Sequence, residues 1–433
     1  MFAYYLHLAL RSLTRNKVLT ALMVLALALG IGASITTLTV QRLLSGDPLP
    51  QKSARLFYPQ IDPYPKDGYI AGETQPQPIM AYIDAMNLLH AHQAKRQAAM
   101  ALTAAKIVPK SADEHPYFSN GVMTTADFFS MFDAPFEYGG GWSAADDEAH
   151  AQVVVIADFL NDKLFDGTNS VGKTIRINDH DLRIVGVLKH WAPQPRFYAQ
   201  ELGGRSYGDG DAVFLPLQTA RAAQMTPQND DCWASGNTDN LEISPCIWLG
   251  FWVELSSESE VAKYKAFLSN YVQQQIALGR FSRSDVDLPD LMQWLRNERV
   301  VPDDVRLQVG LALGFLLICV VNTVGLLLAK CLRRSGEIGV RRALGASRRA
   351  IFAQFMVEAA IVGLVGGVLG LVFAELGLWL VRHQPAEYAG LAHMDVPMFL
   401  FTFVVALVAS LVAGILPAWR ASVLAPAPQL KAA

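Results

Sequence analysis

Four stretches of this chain run uncharged, or nearly so, for 20 residues or more; elsewhere apolar positions recur on the shorter periods of helices and strands. Val18–Val40 carries no charge over 23 residues, Val309–Ala329 none over 21, and Pro397–Leu416 none over 20. Ala359–Leu380 is apolar apart from Glu375. As helices, each can cross about 30 Å of hydrocarbon at about 1.5 Å per residue. The pattern predicts four membrane spans, at 18–40, 309–329, 351–380 and 397–416. The first exceeds the roughly 7–15 apolar residues of a cleaved signal and runs on past Gly32-Ala33-Ser34, so it reads as an uncleaved anchor.

Segment 41–308 has a different texture. Ser45–Pro78 is proline-rich and expected to be irregular. Met80, Ile83, Met86 and Leu88–Leu89 fall near helical spacing, which predicts a helix over Ile79–Lys106. Val153–Ile156, Val213–Pro216 and Ile247–Leu255 read as strands, and Thr174–Ile177 with Leu182–Val187 as a hairpin about Asn178-Asp179-His180. Phe159–Phe165 looks helical, and Glu258–Leu278 places Val261, Tyr264, Phe267, Leu268, Tyr271 and Val272 on one face of an amphipathic helix. The expected fold class is a membrane protein of four transmembrane α-helices with a large α+β extracytoplasmic domain inserted between helices 1 and 2.

Charge orients this arrangement. Residues 1–17 carry Arg11, Arg15 and Lys17 without an acid, and suit an amphipathic interfacial segment. Lys330–Arg349 holds seven Lys or Arg against one acid, Glu337, and the tail 417–433 has Arg420 and Lys431. The loop 381–396 has Arg382 against Glu387 and Asp395. The positive-inside rule then places both termini and 330–350 in the cytoplasm, and 41–308 and 381–396 outside. The large segment is acidic, 23 Lys/Arg against 34 Asp/Glu, which argues against a nucleic-acid partner. Mean hydropathy of +0.24 fits a chain that is part membrane and part soluble.

Cys232 and Cys246 lie 14 apart in the exported segment, while Cys319 and Cys331 fall in or beside the second span. A Cys232–Cys246 bridge is the favoured reading, stabilising by roughly 3 kcal/mol in the chain-entropy model; two free thiols are the alternative. Catalytic patterns are thin. Gly167-Thr-Asn-Ser-Val-Gly-Lys-Thr174 spells G-x-x-x-x-G-K-[ST], but a helix is expected before it and a hairpin strand after it, the reverse of a phosphate-binding loop. His90, His92, His115, His150, His180 and His190 form no zinc-protease spacing. There is no G-x-S-x-G elbow, and Asp146-Asp147-Glu148 reads as a solvated turn. No cofactor or metal site is expected on this chain.

In the third span Gly363-x-x-x-Gly367 and Gly366-x-x-x-Gly370 are expected to share one helix face and form a close-packed seam, static or sliding. Glu358 at the inner border and Glu375 one turn from the outer end are expected to snorkel.

The layout and the run Glu337-Ile-Gly-Val-Arg-Arg-Ala-Leu-Gly-Ala-Ser-Arg-Arg349 resemble the MacB/FtsX/LolC family of ABC-transporter permeases. Leu10–Lys17, Gly363–Gly370, Val171-Gly-Lys-Thr-Ile-Arg-Ile-Asn178 and Ile184-Val-Gly-Val187 add to the likeness, which is weakest over 190–300. The resemblance implies a non-enzymatic permease subunit without a fused ATPase, in the bacterial inner membrane. ATP and Mg would be bound by a separate cytoplasmic ABC ATPase dimer. It further implies a second permease copy or paralogue; a periplasmic adaptor and an outer-membrane channel are candidate partners. On this likeness Glu337, Ile338, Gly339, Arg341, Arg342, Leu344, Gly345 and Arg348 form the coupling element, with Ile338 and Leu344 as apolar anchors for the ATPase. Efflux of an antimicrobial peptide, a macrolide-like compound or another amphiphile is the expected task. Lipoprotein extraction and mechanical regulation of cell-wall hydrolases are the alternatives.

Overall fold

The computed structural model describes residues 16–65, 75–109, 115–233 and 240–423. The interfacial segment expected over 1–17 lies almost wholly outside the described residues, as does the tail beyond 423. The chain divides into two compact units: residues up to Ser45 together with those from Val301 onward, and Gly46–Val300.

Helix α1 (Lys17–Leu44) opens the first unit. The second unit starts with short strands β1 (Leu56–Phe57) and β2 (Gln60–Ile61), helix α2 (Tyr82–Ala91) and the long strand β3 (Arg96–Val108). Strand β4 (Tyr117–Thr124), helix α3 (Asp127–Met131), β5 (Phe136–Gly139), α4 (Ala144–Glu148), β6 (Val153–Ile156) and α5 (Asp158–Phe165) follow. Next come the hairpin β7 (Thr174–Ile177) and β8 (His180–Leu188), then β9 (Val213–Pro216), α6 (Leu217–Ala222), β10 (Asp231–Cys232) and β11 (Cys246–Ile247). Strand β12 (Gly250–Glu254), α7 (Glu258–Ala277), β13 (Val286–Asp287) and α8 (Leu291–Asn297) complete it.

Nine strands form one mixed sheet in the order β1-β12-β3-β4-β9-β6-β8-β5. Strand β7 bridges the far end of β3 to β8, so the pairings β3-β4-β9-β6-β8-β7 return to β3 and close a ring. Closure pairs the edges of those six strands, while β1 and β5 stay at the margins of the sheet. The β7–β8 turn is the two-residue pair Asn178-Asp179, both at positive φ (45° and 67°), the geometry the right-handed strand twist favours.

The helix expected over Ile79–Lys106 is corrected here. Helical structure stops at Ala91, where His92 takes the left-handed conformation (φ 47°), and Arg96–Val108 is a strand paired on both sides with β12 and β4. Residues 97–103 are all buried, so no two-residue alternation marks the strand, and its alanines carry helix propensity that sheet pairing overrides. Under the sheet, Phe128, Phe129 and Phe132 pack edge-on with Phe197, Tyr198, Phe214 and Trp252. Cys232 and Cys246 stand opposite each other in the β10–β11 ladder and are joined by a disulfide.

The first unit resumes with α9 (Asp303–Arg333), the short α10 (Ser335–Ala343), α11 (Arg348–Arg382) and α12 (Val396–Val423). Among the described residues, helices α1, α9, α11 and α12 are the four long and apolar enough to cross a membrane. Their leucines, valines and phenylalanines point outward in quantity, as lipid-facing surfaces do, and small residues fill the contacts.

The glycines of α11 face two partners rather than one. A Cβ on Gly363 would lie 2.4 Å from Ser410 Cβ, and one on Gly367 2.8 Å from Ala406 Cβ, both on α12. A Cβ on Gly366 would instead meet Leu27 at 3.3 Å, and one on Gly370 Ile31 at 2.9 Å, both on α1. The two pairs are offset by three residues, close to one helical turn of 3.6, but their Cβ directions straddle the groove between the neighbours. Interhelical hydrogen bonds from Ser34 Oγ to Ala312 O (3.1 Å) and from Thr36 Oγ1 to Ala374 O (3.2 Å) tie α1 to α9 and α11.

Candidate functional site

The connector between α9 and α11 is helix, turn and cap. Helix α10 ends where Gly345 adopts φ +97°, a conformation glycine reaches without a Cβ penalty. Ala346 N–H donates to Arg341 O (3.0 Å) and Gly345 N–H to Arg342 O (3.1 Å), the double closure that satisfies the last carbonyls of a helix. Two residues on, Ser347 Oγ accepts from Ala350 N–H (3.2 Å) and caps α11. The Leu-Gly-Ala-Ser run is therefore a rigid corner joining two helices.

One face of α10 packs inward. Ile338 is 6 % exposed, in a cluster with Cys331, Ile351, Phe355, Ala418 and Ala421, and Gly339 is buried beside it. This corrects the expectation that Ile338 reaches a partner: in this structure it anchors α10 to its own chain. Glu337 is held between Arg334 (3.1 Å) and Arg341 (2.9 Å), Arg341 donates to Gln354 Oε1 (3.0 Å), and Arg342 to Ser422 O (3.4 Å). These half-buried groups fix the orientation of the helix. The outward surface is left to Val340 (47 % exposed), Leu344 (83 % exposed), Gly345, Arg348 and Arg349.

Sequence reading missed the centre of this network. Lys330 on α9 and Glu358 on α11 form an ion pair with both side chains 1 % exposed, and Arg334 approaches Glu358 at 3.7 Å. Glu358 does not snorkel. A basic residue ending one span and an acid in the first turns of the next was the available signal. Glu375 pairs with Arg382 (2.8 Å) and stays half exposed, consistent with its place near a helix end.

In the soluble unit, Gly167–Thr174 forms the turn after α5 and the first residue of β7. A hairpin strand follows it, where a phosphate cradle requires a helix N-terminus. Asp146-Asp147-Glu148 is the end of α4 and not an open turn: Asp147 accepts from Ala126 N–H and Trp142 Nε1–H, each at 2.7 Å. Burial pushes its carboxyl up to about 6. Among the described residues no three His, Cys, Asp or Glu side chains come together as a metal-ligand group.

Four spans, an α+β domain inserted after the first, and a capped basic helix between the second and third define the class of ABC-transporter permeases with a large extramembrane domain. The chain belongs to the MacB/FtsX type of that class. Residues 20–271 match the MacB-like periplasmic core domain and residues 309–426 the FtsX-like permease C-terminal domain. It is similar to the pyoverdine export ATP-binding/permease protein PvdT of Pseudomonas fluorescens, 24 % identical over 95 % of this chain and 56 % of that protein. The ABC transporter permease YvrN of Bacillus subtilis is 22 % identical over 70 % of this chain and 68 % of that protein. The chain thus spans little more than half the length of the PvdT relative. Among solved structures, the periplasmic region of MacB from Actinobacillus actinomycetemcomitans is similar over 59 % of this chain and 97 % of that one, at 14 % identity and TM-score 0.36.

Proposed function

We propose that this chain is the non-catalytic permease subunit of an efflux transporter, and that α10 receives the motion of a separate ABC ATPase. The orientation that goes with this reading puts α10 and both termini in the cytoplasm and Gly46–Val300 outside the inner membrane, as the charge of the connector favours. The observation that carries the reading is the division of α10 into two faces. Its inner face is welded to α9, α11 and α12, so a push on the outer face moves the helix ends with it. That outer face offers Val340, and the exposed corner after it Leu344, as apolar anchors, with Arg348 and Arg349 at the start of α11 as charges complementary to an acidic partner. ATP and magnesium belong to the partner on this reading. Relatives named for pyoverdine export favour export of a small amphiphilic compound over lipoprotein extraction or hydrolase regulation.

The test is ATP hydrolysis by an ABC ATPase that copurifies with this chain, reconstituted with it in nanodiscs. Leu344→Asp and Arg348→Glu are expected to cut the permease-stimulated rate at least about tenfold, the loss of one buried apolar or charged anchor, while membrane insertion is unchanged. Undiminished stimulation in both variants overturns the coupling role of this surface. Cysteine labelling at Gly336→Cys from outside intact cells would overturn the orientation.

A further inference from the structure

We propose that the soluble unit carries a binding site for a small organic cation, an ammonium group on a compact apolar body, in the cavity between α2, α4 and the start of α3. This proposal does not depend on the coupling role of α10.

The cavity measures about 300 Å³, at the lower end of small-molecule sites. Met86, Leu89 and Leu217 give it an apolar wall, and three carboxylates, Asp127, Asp147 and Glu148, give it a charged one. Among the described residues no lysine or arginine lines it. Among the described residues none of the three carboxylates has a salt-bridge partner; Asp127 accepts from Gln97 N–H (3.0 Å), and Asp147 from the two N–H groups named above. Neutral donors orient a carboxylate without neutralising it.

A second, independent observation points to a missing donor. Gln97 and Thr125 also line the cavity, at 4 % and 8 % exposed, and among the described residues Gln97 Oε1 and Thr125 Oγ1 have no hydrogen-bond partner. Buried acceptors left bare are costly, and natural proteins seldom keep them. A ligand rich in N–H donors satisfies both deficits, whereas an anion would meet three like charges and a neutral alcohol would leave the charge uncompensated. The raised Asp147 carboxyl has the same origin, since burial acts on it with no cation nearby. His90, His92 and His150, exposed at the cavity margin, supply flat polar edges.

The experiment uses the full chain in nanodiscs and 4-phenylbutylamine as probe, with 4-phenylbutanol and 4-phenylbutyrate as neutral and anionic counterparts. Saturation-transfer NMR reads occupancy, and the Trp142 indole, hydrogen-bonded to Asp147, gives a local signal. The amine is expected to bind saturably and at least about tenfold more tightly than either counterpart. Asp127→Asn with Asp147→Asn should weaken it at least about tenfold, while the exposed Asp209→Asn leaves it unchanged. Because Asp147 holds two structural hydrogen bonds, Glu148→Gln and the cavity-filling Ala144→Trp provide variants that leave that framework intact. Glu148→Gln should weaken the amine several-fold and Ala144→Trp should abolish its binding. Equal binding of amine and alcohol, tighter binding of the carboxylate, or indifference to both Glu148→Gln and Ala144→Trp would overturn the proposal. So would a divalent metal ion that occupies the site without competing with the amine.

Discussion

Lys330 and Glu358 neutralise each other inside the helix bundle, linking the end of the second span to the first turns of the third. Paired charges of this kind add little net stability over a well-packed apolar pair, but losing one partner strands the other. Lys330→Met is expected to destabilise the membrane unit by about 3–5 kcal/mol, tempered by Arg334 at 3.7 Å from Glu358. Lys330→Met with Glu358→Leu should recover most of that loss. Thermal unfolding in nanodiscs measures both; a double variant no more stable than the single one would show that the pair is not the relevant unit.

Glycine substitutions should differ sharply by position. Gly363→Ala drives a methyl group to 2.4 Å from Ser410 Cβ and is expected to cost about 1–3 kcal/mol. Adding Ser410→Gly makes room and should restore part of it. At Gly336, in α10, no atom of the described residues outside the helix's own backbone lies within 4 Å of an added Cβ, so Gly336→Ala should stabilise by about 0.5–1 kcal/mol. The same unfolding assay ranks the three.

Breaking the Cys232–Cys246 bridge releases a loop of 14 residues' separation. Cys232→Ser with Cys246→Ser is expected to lower stability of the soluble unit by roughly 3 kcal/mol, mainly through a freer unfolded chain. Denaturant midpoints with and without a reductant should shift for the parent protein and stay fixed for the double serine variant.

Glu298 supplies a pH signature. Burial, reinforced by the neighbouring Glu201 carboxyl, pushes its own carboxyl up to about 8 from an ordinary value near 4.5. A carboxyl raised on folding holds its proton more tightly in the native state. Its contribution is therefore fully present below about 4.5 and is lost as pH rises through about 8. Glu298→Gln should flatten the decline in thermal stability between pH 5 and pH 9. An unchanged slope would assign that decline to other groups.

The membrane-spanning helices were legible in the sequence because lipid imposes one requirement on nearly every residue, and composition alone reports it. The Asn178-Asp179 turn was legible for a local reason: few residues tolerate its two positive φ angles. Strand β3 was not, since its burial on both faces erased the alternation by which strands are recognised. The residues proposed for coupling stand together as one run of the sequence, but which side of α10 each occupies depends on contacts with Ile351, Gln354 and Ser422, distant from that run or from its helix face. The cavity beside Asp147 lay equally out of reach, being assembled from five separate segments.

Gly363 and Gly367 on one flank of α11, and Gly366 and Gly370 on the other, bind the fate of three helices together across generations. Side-chain volume cannot be gained at any of these four places unless it is surrendered at Ala406 or Ser410, or at Leu27 or Ile31. Drift in related chains should therefore appear as paired exchanges of size, large for small, across two separate interfaces that share one backbone.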